Sequence, residues 1–212
     1  MRTCYLVGAG EFYGTLSPTS ADLVIAADGG YETLQKIGIT PDLLIGDMDS
    51  LSICADGTAK ISYPVKKDET DTHLSYLEGA RRGYSNFAIY GGVGGREDHT
   101  FANYSLLLYA KNQGHHASLI GNKTEIFVIR NEKISLCGMD GDLFSVFAFG
   151  SDAKGVSVRG GEYEAEDVTL KTDFALGVSN AFTNKPVEIE VKDGALLVMA
   201  TVRNGEYYFK SR

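Results

Sequence analysis

The chain has 212 residues, 43% of them hydrophobic and 23% charged, with a formal net charge of −8. That length holds one large domain or two small ones around a sizeable core. No apolar run approaches the roughly 18 residues that mark a membrane span, and an acidic chain lacks the basic face that nucleic-acid binding normally needs.

The N-terminal MRTCYLVGAGEFYG carries one Arg and a short apolar run that leads straight into a Gly-rich turn, so it reads as a first strand and not as a signal peptide. Leu23 to Asp28 (LVIAAD) is a second strand, GYETLQKIG a short helix ending at Gly38, DLLIGD a third strand, and Lys60 to Val65 (KISYPV) a fourth. THLSYLEGARRG is helical, since Leu74, Leu77 and Ala80 fall on one face. FAIYGG returns to strand, HTFANYSLLLYAKNQG is the longest helix and closes at Gly114, and ASLIG and EIFVIR follow as strands. Strands alternating with helices predict an α/β domain over residues 1–130, a mostly parallel sheet with helices on both faces. From Asn131 the pattern changes to short β-like runs (KISLCG, DLFSVFAFG, GVSVRGG, DVTLK, ALGVSN, PVEIEV, ALLVMATV). Met139-Asp140-Gly141-Asp142 and Lys192-Asp193-Gly194 separate some of them as hairpin turns, which predicts an all-β sandwich over 131–212. The three cysteines, Cys4, Cys54 and Cys137, are scattered and odd in number, which fits free thiols in a reducing cytoplasm.

In open parallel sheets, ligands bind beyond the carboxyl ends of the strands. Acidic residues gather at four such ends: Asp28 before Gly29 and Gly30, Asp47 and Asp49 after DLLIG, Asp68 and Asp71 after KISYPV, and Asp98 after FAIYGGVGGRE. Carboxylates that close destabilise one another unless a cation lies between them. Oxygen ligands of this kind suit Mg²⁺ carrying substrate phosphates. GGVGGR, Gly91 to Arg96, allows backbone N–H groups to approach an anion, and Arg96 adds a charged fork. GAGEFYG, Gly8 to Gly14, is close to a dinucleotide-binding fingerprint but has one residue too many before its last Gly. Singly, each acidic residue has a plainer reading: Asp71 as a first-turn residue of the helix after Thr70, Asp98 as an N-cap, Asp49-Ser50 as a turn. Asp22, Glu32 and Glu78 read as solvated surface, and His115 and His116 as an exposed loop. Convergence at four strand ends favours a site.

The strings ADGG (Ala27–Gly30), PDLLIGDMDS (Pro41–Ser50), KDETD (Lys67–Asp71), GGVGGREDHTFAN (Gly91–Asn103) and GVSN (Gly177–Asn180) resemble, in order and spacing, those of bacterial thiamine pyrophosphokinases. The resemblance spans most of the chain. It implies transfer of the pyrophosphoryl group of ATP to the hydroxyl of thiamine, with release of AMP, by a homodimer with active sites at the subunit interface. It implies Mg²⁺ on Asp47, Asp49 and Asp71, and nucleotide contacts at Asp28, Gly29, Ser50, Lys67, Thr70 and Arg96. It implies a catalytic set of Asp71, Arg96 and Asp98, and a thiamine pocket touched by Asp98, Ser179 and Asn180. The family often places a Trp beside thiamine; this chain has none, and Tyr163, Phe182 and Tyr207 are the aromatic substitutes. Two other readings stay open on the sequence alone: a Mg-dependent kinase or pyrophosphokinase for another small alcohol, and a non-catalytic nucleotide- or thiamine-binding protein.

Overall fold

The first unit is laid down by strands that are apolar without alternation. β1 (Cys4–Val7), β2 (Leu23–Ala27), β3 (Leu43–Gly46) and β5 (Asn86–Tyr90) are buried along their whole length, as a sheet covered on both faces requires. Between them lie α1 (Gly30–Lys36), the exposed β4 (Ala59–Ser62) and α2 (Asp71–Arg81); α3 (Glu97–Asn112) and β6 (His116–Gly121) follow. The computed structural model describes residues 2–46, 58–63, 68–203 and 207–208. These strands run parallel in the order β6-β5-β1-β2-β3-β4. The crossover from β2 to β3 runs one way along the sheet, and those from β4 to β5 and β5 to β6 run the other way. Right-handed crossovers therefore put α1 on one face and α2 with α3 on the opposite face, and α2 does pack on α3.

The chain divides into two compact units, Met1–Asn122 and Lys123–Arg212. β7 (Thr124–Arg130) falls in the second of them and pairs antiparallel with the last strand along its full length, from Thr124↔Thr201 to Arg130↔Ala195. In the second unit β7, β9 (Leu143–Ala148), β12 (Asn180–Ala181) and β14 (Ala195–Thr201) form one antiparallel sheet in the order β12-β9-β14-β7. β8 (Lys133–Leu136), β10 (Ala153–Arg159), β11 (Ala165–Leu170) and β13 (Val187–Glu190) form the other, in the order β11-β10-β13-β8. Phe127, Phe144, Val146 and Val198 from the first meet Val156, Val158, Leu170 and Ile189 from the second in one core, which makes the unit a sandwich. The predicted strand ALGVSN shrinks to Asn180–Ala181, since Ser179 adopts a left-handed φ of 58° that no regular strand tolerates. No helix among the described residues is long and apolar enough to cross a membrane.

Glu78 corrects the surface reading of the sequence. Its carboxylate is buried in α2 and accepts from Arg81 at 2.8 Å and Arg82 at 2.7 Å. Gly79 beside it lets the helix press on the sheet, where a Cβ would meet Cys4 Sγ at 2.7 Å. Cys4 itself is a buried free thiol whose ionisation burial pushes far up, so it packs and does not react. His115 also departs from expectation: its Nδ1 meets the Tyr76 hydroxyl at 2.8 Å, and its ring packs on Phe87.

The Arg81 hydrogen bond, with Arg82, holds Glu78 at about 2, against an ordinary value of 4.5. A carboxyl depressed in the folded state stabilises above its unfolded value, and that stability is lost as pH falls through the folded one. Because the arginines are partly solvated, the contribution is on the order of 1–2 kcal/mol. Glu78→Gln is expected to lower stability by that amount near neutral pH and to flatten the loss between pH 4.5 and about 2, as read by denaturant unfolding across pH.

Candidate active site

The carboxyl ends of the parallel strands form one rim, and short contacts join them. Gly10 N donates to Gly91 O at 2.8 Å and Glu11 N to Val93 O at 2.9 Å, so the segments leaving β1 and β5 run side by side. The approach is so close that a Cβ on Gly91, whose φ is +62°, would lie 2.3 Å from Gly8 O. On the other side of β1, a Cβ on Gly30 would lie 1.8 Å from Val7 O, so only glycine lets α1 start where it does. The string GAGEFYG is thus no dinucleotide loop, because no helix follows it before β2; its glycines serve the contact with β5. Strand order reverses between β1 and β5, the switch point where open α/β sheets bind ligands.

Asp28 follows β2 in the left-handed conformation, with φ 47°, and its N–H is held by Ile45 O at 2.8 Å. Its buried Oδ1 has no hydrogen-bond partner among the described residues, an arrangement a folded protein keeps at a cost of about 1–3 kcal/mol. Thr70 caps α2 by accepting from His73 N at 3.2 Å, which leaves its hydroxyl proton free to face an anion. Asp71 opens the helix, and Thr72 Oγ1 lies 3.7 Å from the Cβ position of Gly8, so the start of α2 sits beside the end of β1.

After the glycines, Arg96 occupies the N-cap position of α3 and Asp98 its first turn, so the plainer reading of Asp98 as an N-cap does not apply. Arg96 forks onto Asp98, with Nε to Oδ1 at 3.1 Å and Nη2 to Oδ2 at 2.6 Å. Asp98 also accepts from His99 N at 3.0 Å. Arg96, with the backbone N–H of His99, holds the Asp98 carboxyl below the usual carboxylate range and is itself raised. A carboxylate so stabilised is a weak base, suited to orienting a donor more than to removing its proton. Asp47, Asp49, Ser50 and Lys67 lie outside the described residues. Among the described residues no cluster of three His, Cys, Asp or Glu side chains could hold a metal.

The second unit holds a separate cavity of about 550 Å³, walled by Val146, Val158 and Leu176 and edged by Glu164, Tyr163 and Asn180. Asn180 spends its amide on Tyr163: Oδ1 accepts from Tyr163 N at 3.0 Å, and Nδ2 donates to Tyr163 O at 2.6 Å. Ser179 is placed by its N–H, which donates to Ser145 Oγ at 3.0 Å. Of the three aromatic substitutes, Phe182 and Tyr207 are buried, whereas Tyr163 is 65% exposed at the cavity mouth.

Asp28→Asn removes a buried charge while keeping a residue that accepts left-handed backbone. Its folding stability is expected to stay level or rise by up to about 1 kcal/mol, as thermal unfolding of the two proteins side by side checks.

The family model described as thiamin pyrophosphokinase, catalytic domain, matches residues 17–119, and that described as thiamin pyrophosphokinase, vitamin B1 binding domain, matches residues 123–196. No curated protein matches the chain. Among solved structures it is similar to the thiamine pyrophosphokinase of Bacillus subtilis, at 21% identity over 94% of this chain and 99% of that one, with a TM-score of 0.85. A thiamin pyrophosphokinase family protein of Enterococcus faecalis gives 22% identity over 96% and 100%, with a TM-score of 0.83. The yeast thiamin pyrophosphokinase gives 16% over 99% and 88%, with a TM-score of 0.74. With both of its units matched in chain order, the chain belongs to the thiamin pyrophosphokinase family.

Proposed function

We propose that this protein is a thiamine diphosphokinase that transfers the pyrophosphoryl group of ATP to the hydroxyl of thiamine, giving thiamine diphosphate and AMP. The observation that carries the reading is the rim of Asp28, Thr70, Asp71 and the Arg96–Asp98 fork around the switch point of a thiamin pyrophosphokinase catalytic domain. Asp28, Gly29, Ser50, Lys67, Thr70 and Arg96 would receive the nucleotide. The donor set is all oxygen, as Mg²⁺ prefers, and the orphaned Oδ1 of Asp28 is what a rim completed by a bound group leaves behind. Asp47, Asp49 and Asp71 would hold that ion, which when bound neutralises the triphosphate. Phosphoryl-type transfer depends mainly on positioning and charge stabilisation. The thiamine hydroxyl oxygen bonds to the β-phosphorus, the bond from that phosphorus to the α-phosphate oxygen breaks, and AMP leaves. Arg96 stabilises charge on the transferring group. Asp98 orients both Arg96 and the hydroxyl, whose proton passes to water.

Thiamine carries a cationic ring, which suits an aromatic face beside a carboxylate. Tyr163 and Glu164 at the apolar cavity offer that pair, with Asn180 holding Tyr163 and Ser179 preceding Asn180 in the chain. Leu176 and Val178, which line the same cavity, are 60% and 55% exposed, an apolar surface that supports a homodimer with the site at its interface. Free Cys4 and Cys137 support a reducing, cytoplasmic setting.

Purified protein with ATP, Mg²⁺ and thiamine is expected to yield AMP and thiamine diphosphate in equal amounts by chromatography. Arg96→Ala should lower kcat on the order of 10²–10³-fold, and Asp49→Asn should abolish turnover. Tyr163→Ala should raise the KM for thiamine about tenfold with little change for ATP. ADP appearing on another alcohol would retain the site and discard thiamine; binding without turnover would make this a ligand-binding protein. In sedimentation, Leu176→Glu is expected to convert a dimer to monomer and to weaken thiamine binding, and a wild-type monomer with full activity would refute the interface.

A further inference from the structure

Gly8 to Gly14, read as neither phosphate loop nor helix start, leaves one feature unexplained. Glu11 lies outside every motif of the family resemblance, yet it sits against the loop that carries Arg96. Its N–H donates to Val93 O at 2.9 Å. Its side chain covers Gly94 so closely that a Cβ there would lie 2.7 Å from Glu11 Cγ and 2.9 Å from Cδ. Gly94 and Gly95, with φ +74° and +89°, bend the loop into its left-handed turn. The Glu11 carboxylate is held in turn by the Tyr13 hydroxyl. Phe12 stacks on Tyr90 with ring centroids 5.3 Å apart, and Tyr90 OH donates to Thr15 O at 3.1 Å, so the whole segment is fastened along the end of β5.

The loop is gripped from its other side by Asn103, a buried residue in the second turn of α3. Its Nδ2 donates to Gly92 O at 2.8 Å. Three glycines in left-handed backbone, Gly91, Gly94 and Gly95, make Gly91–Arg96 intrinsically pliable. An anion site works well only when its N–H groups and its arginine are already oriented, because binding energy otherwise goes into ordering them.

We propose that Glu11 is a positioning residue which, with Asn103 opposite, clamps Gly91–Arg96 in the shape that receives phosphate. The role rests on the reading of this rim as the nucleotide site. It belongs to the packing and hydrogen-bond acceptance of the Glu11 side chain, not to its charge, since the carboxylate faces Tyr13.

The test uses Glu11→Ala, Glu11→Gln and Asn103→Ala in the full chain. Amide hydrogen exchange of the free protein reads the clamp without any substrate. Exchange of Gly94–Arg96 is expected to rise severalfold in Glu11→Ala and in Asn103→Ala and to return to the wild-type rate in Glu11→Gln. In steady state, Glu11→Ala should lower kcat and raise the KM for Mg·ATP, a combined loss of roughly tenfold to a hundredfold, with the KM for thiamine unchanged and Glu11→Gln restored. Unchanged exchange and kinetics in Glu11→Ala would overturn the proposal, and so would a Gln variant as impaired as the Ala one, which would assign the effect to charge. Should the wild type make no thiamine diphosphate, the functional reading fails, while the exchange rates still decide the clamp.

Discussion

The structure of the first unit depends on one close approach of backbone to backbone. Where β1 and β5 end, the chain leaves in two directions, and the two exits lie against each other through Gly8, Gly10 and Gly91. Side chains there would hold the strands apart and fill the crevice that reversal of strand order creates. With glycine instead, the crevice floor is peptide backbone, its N–H groups paired across the two exits. α1 uses the same device at Gly30. The crevice is therefore a consequence of where the fold excludes Cβ atoms.

That floor explains the placement of the charged residues. α2 and α3 both begin at the rim because each follows a strand of the parallel sheet, whose carboxyl end lies there. Their first turns carry Asp71, Glu97 and Asp98, which helix dipoles favour for local reasons. Local helix energetics and ligand chemistry thus ask for the same residue type at the same place. Asp28 is different: it is left-handed, and its buried Oδ1 has no partner among the described residues. Folded proteins retain such strain where function selects it.

The second unit builds its site by another rule. A sandwich core needs alternate residues inward, and Phe144, Val146, Val156 and Val158 obey that period. Tyr163, Phe174, Leu176 and Val178 lie in the connections between strands, so alternation does not govern them and they remain outside. The sequence offers Asn180 only through a resemblance; in the structure it fixes the backbone of Tyr163, a pairing across 17 residues that no spacing displays.

The sequence by itself determined the two fold classes, the strands of the parallel sheet and the position of Asp28, Asp71, Arg96 and Asp98 between strand ends and helix first turns. It could do so because buried parallel strands and helix first turns are set by local composition. The tertiary structure alone decided that β7 belongs to the second unit, since an apolar run looks the same whichever sheet receives it. It decided too that Glu78 is buried between two arginines, that Tyr163 and not Phe182 faces the cavity, and that Glu11 lies on Gly94. Each of these depends on which distant segment comes to rest beside the residue, and that contact is made by packing, after local preference has been spent.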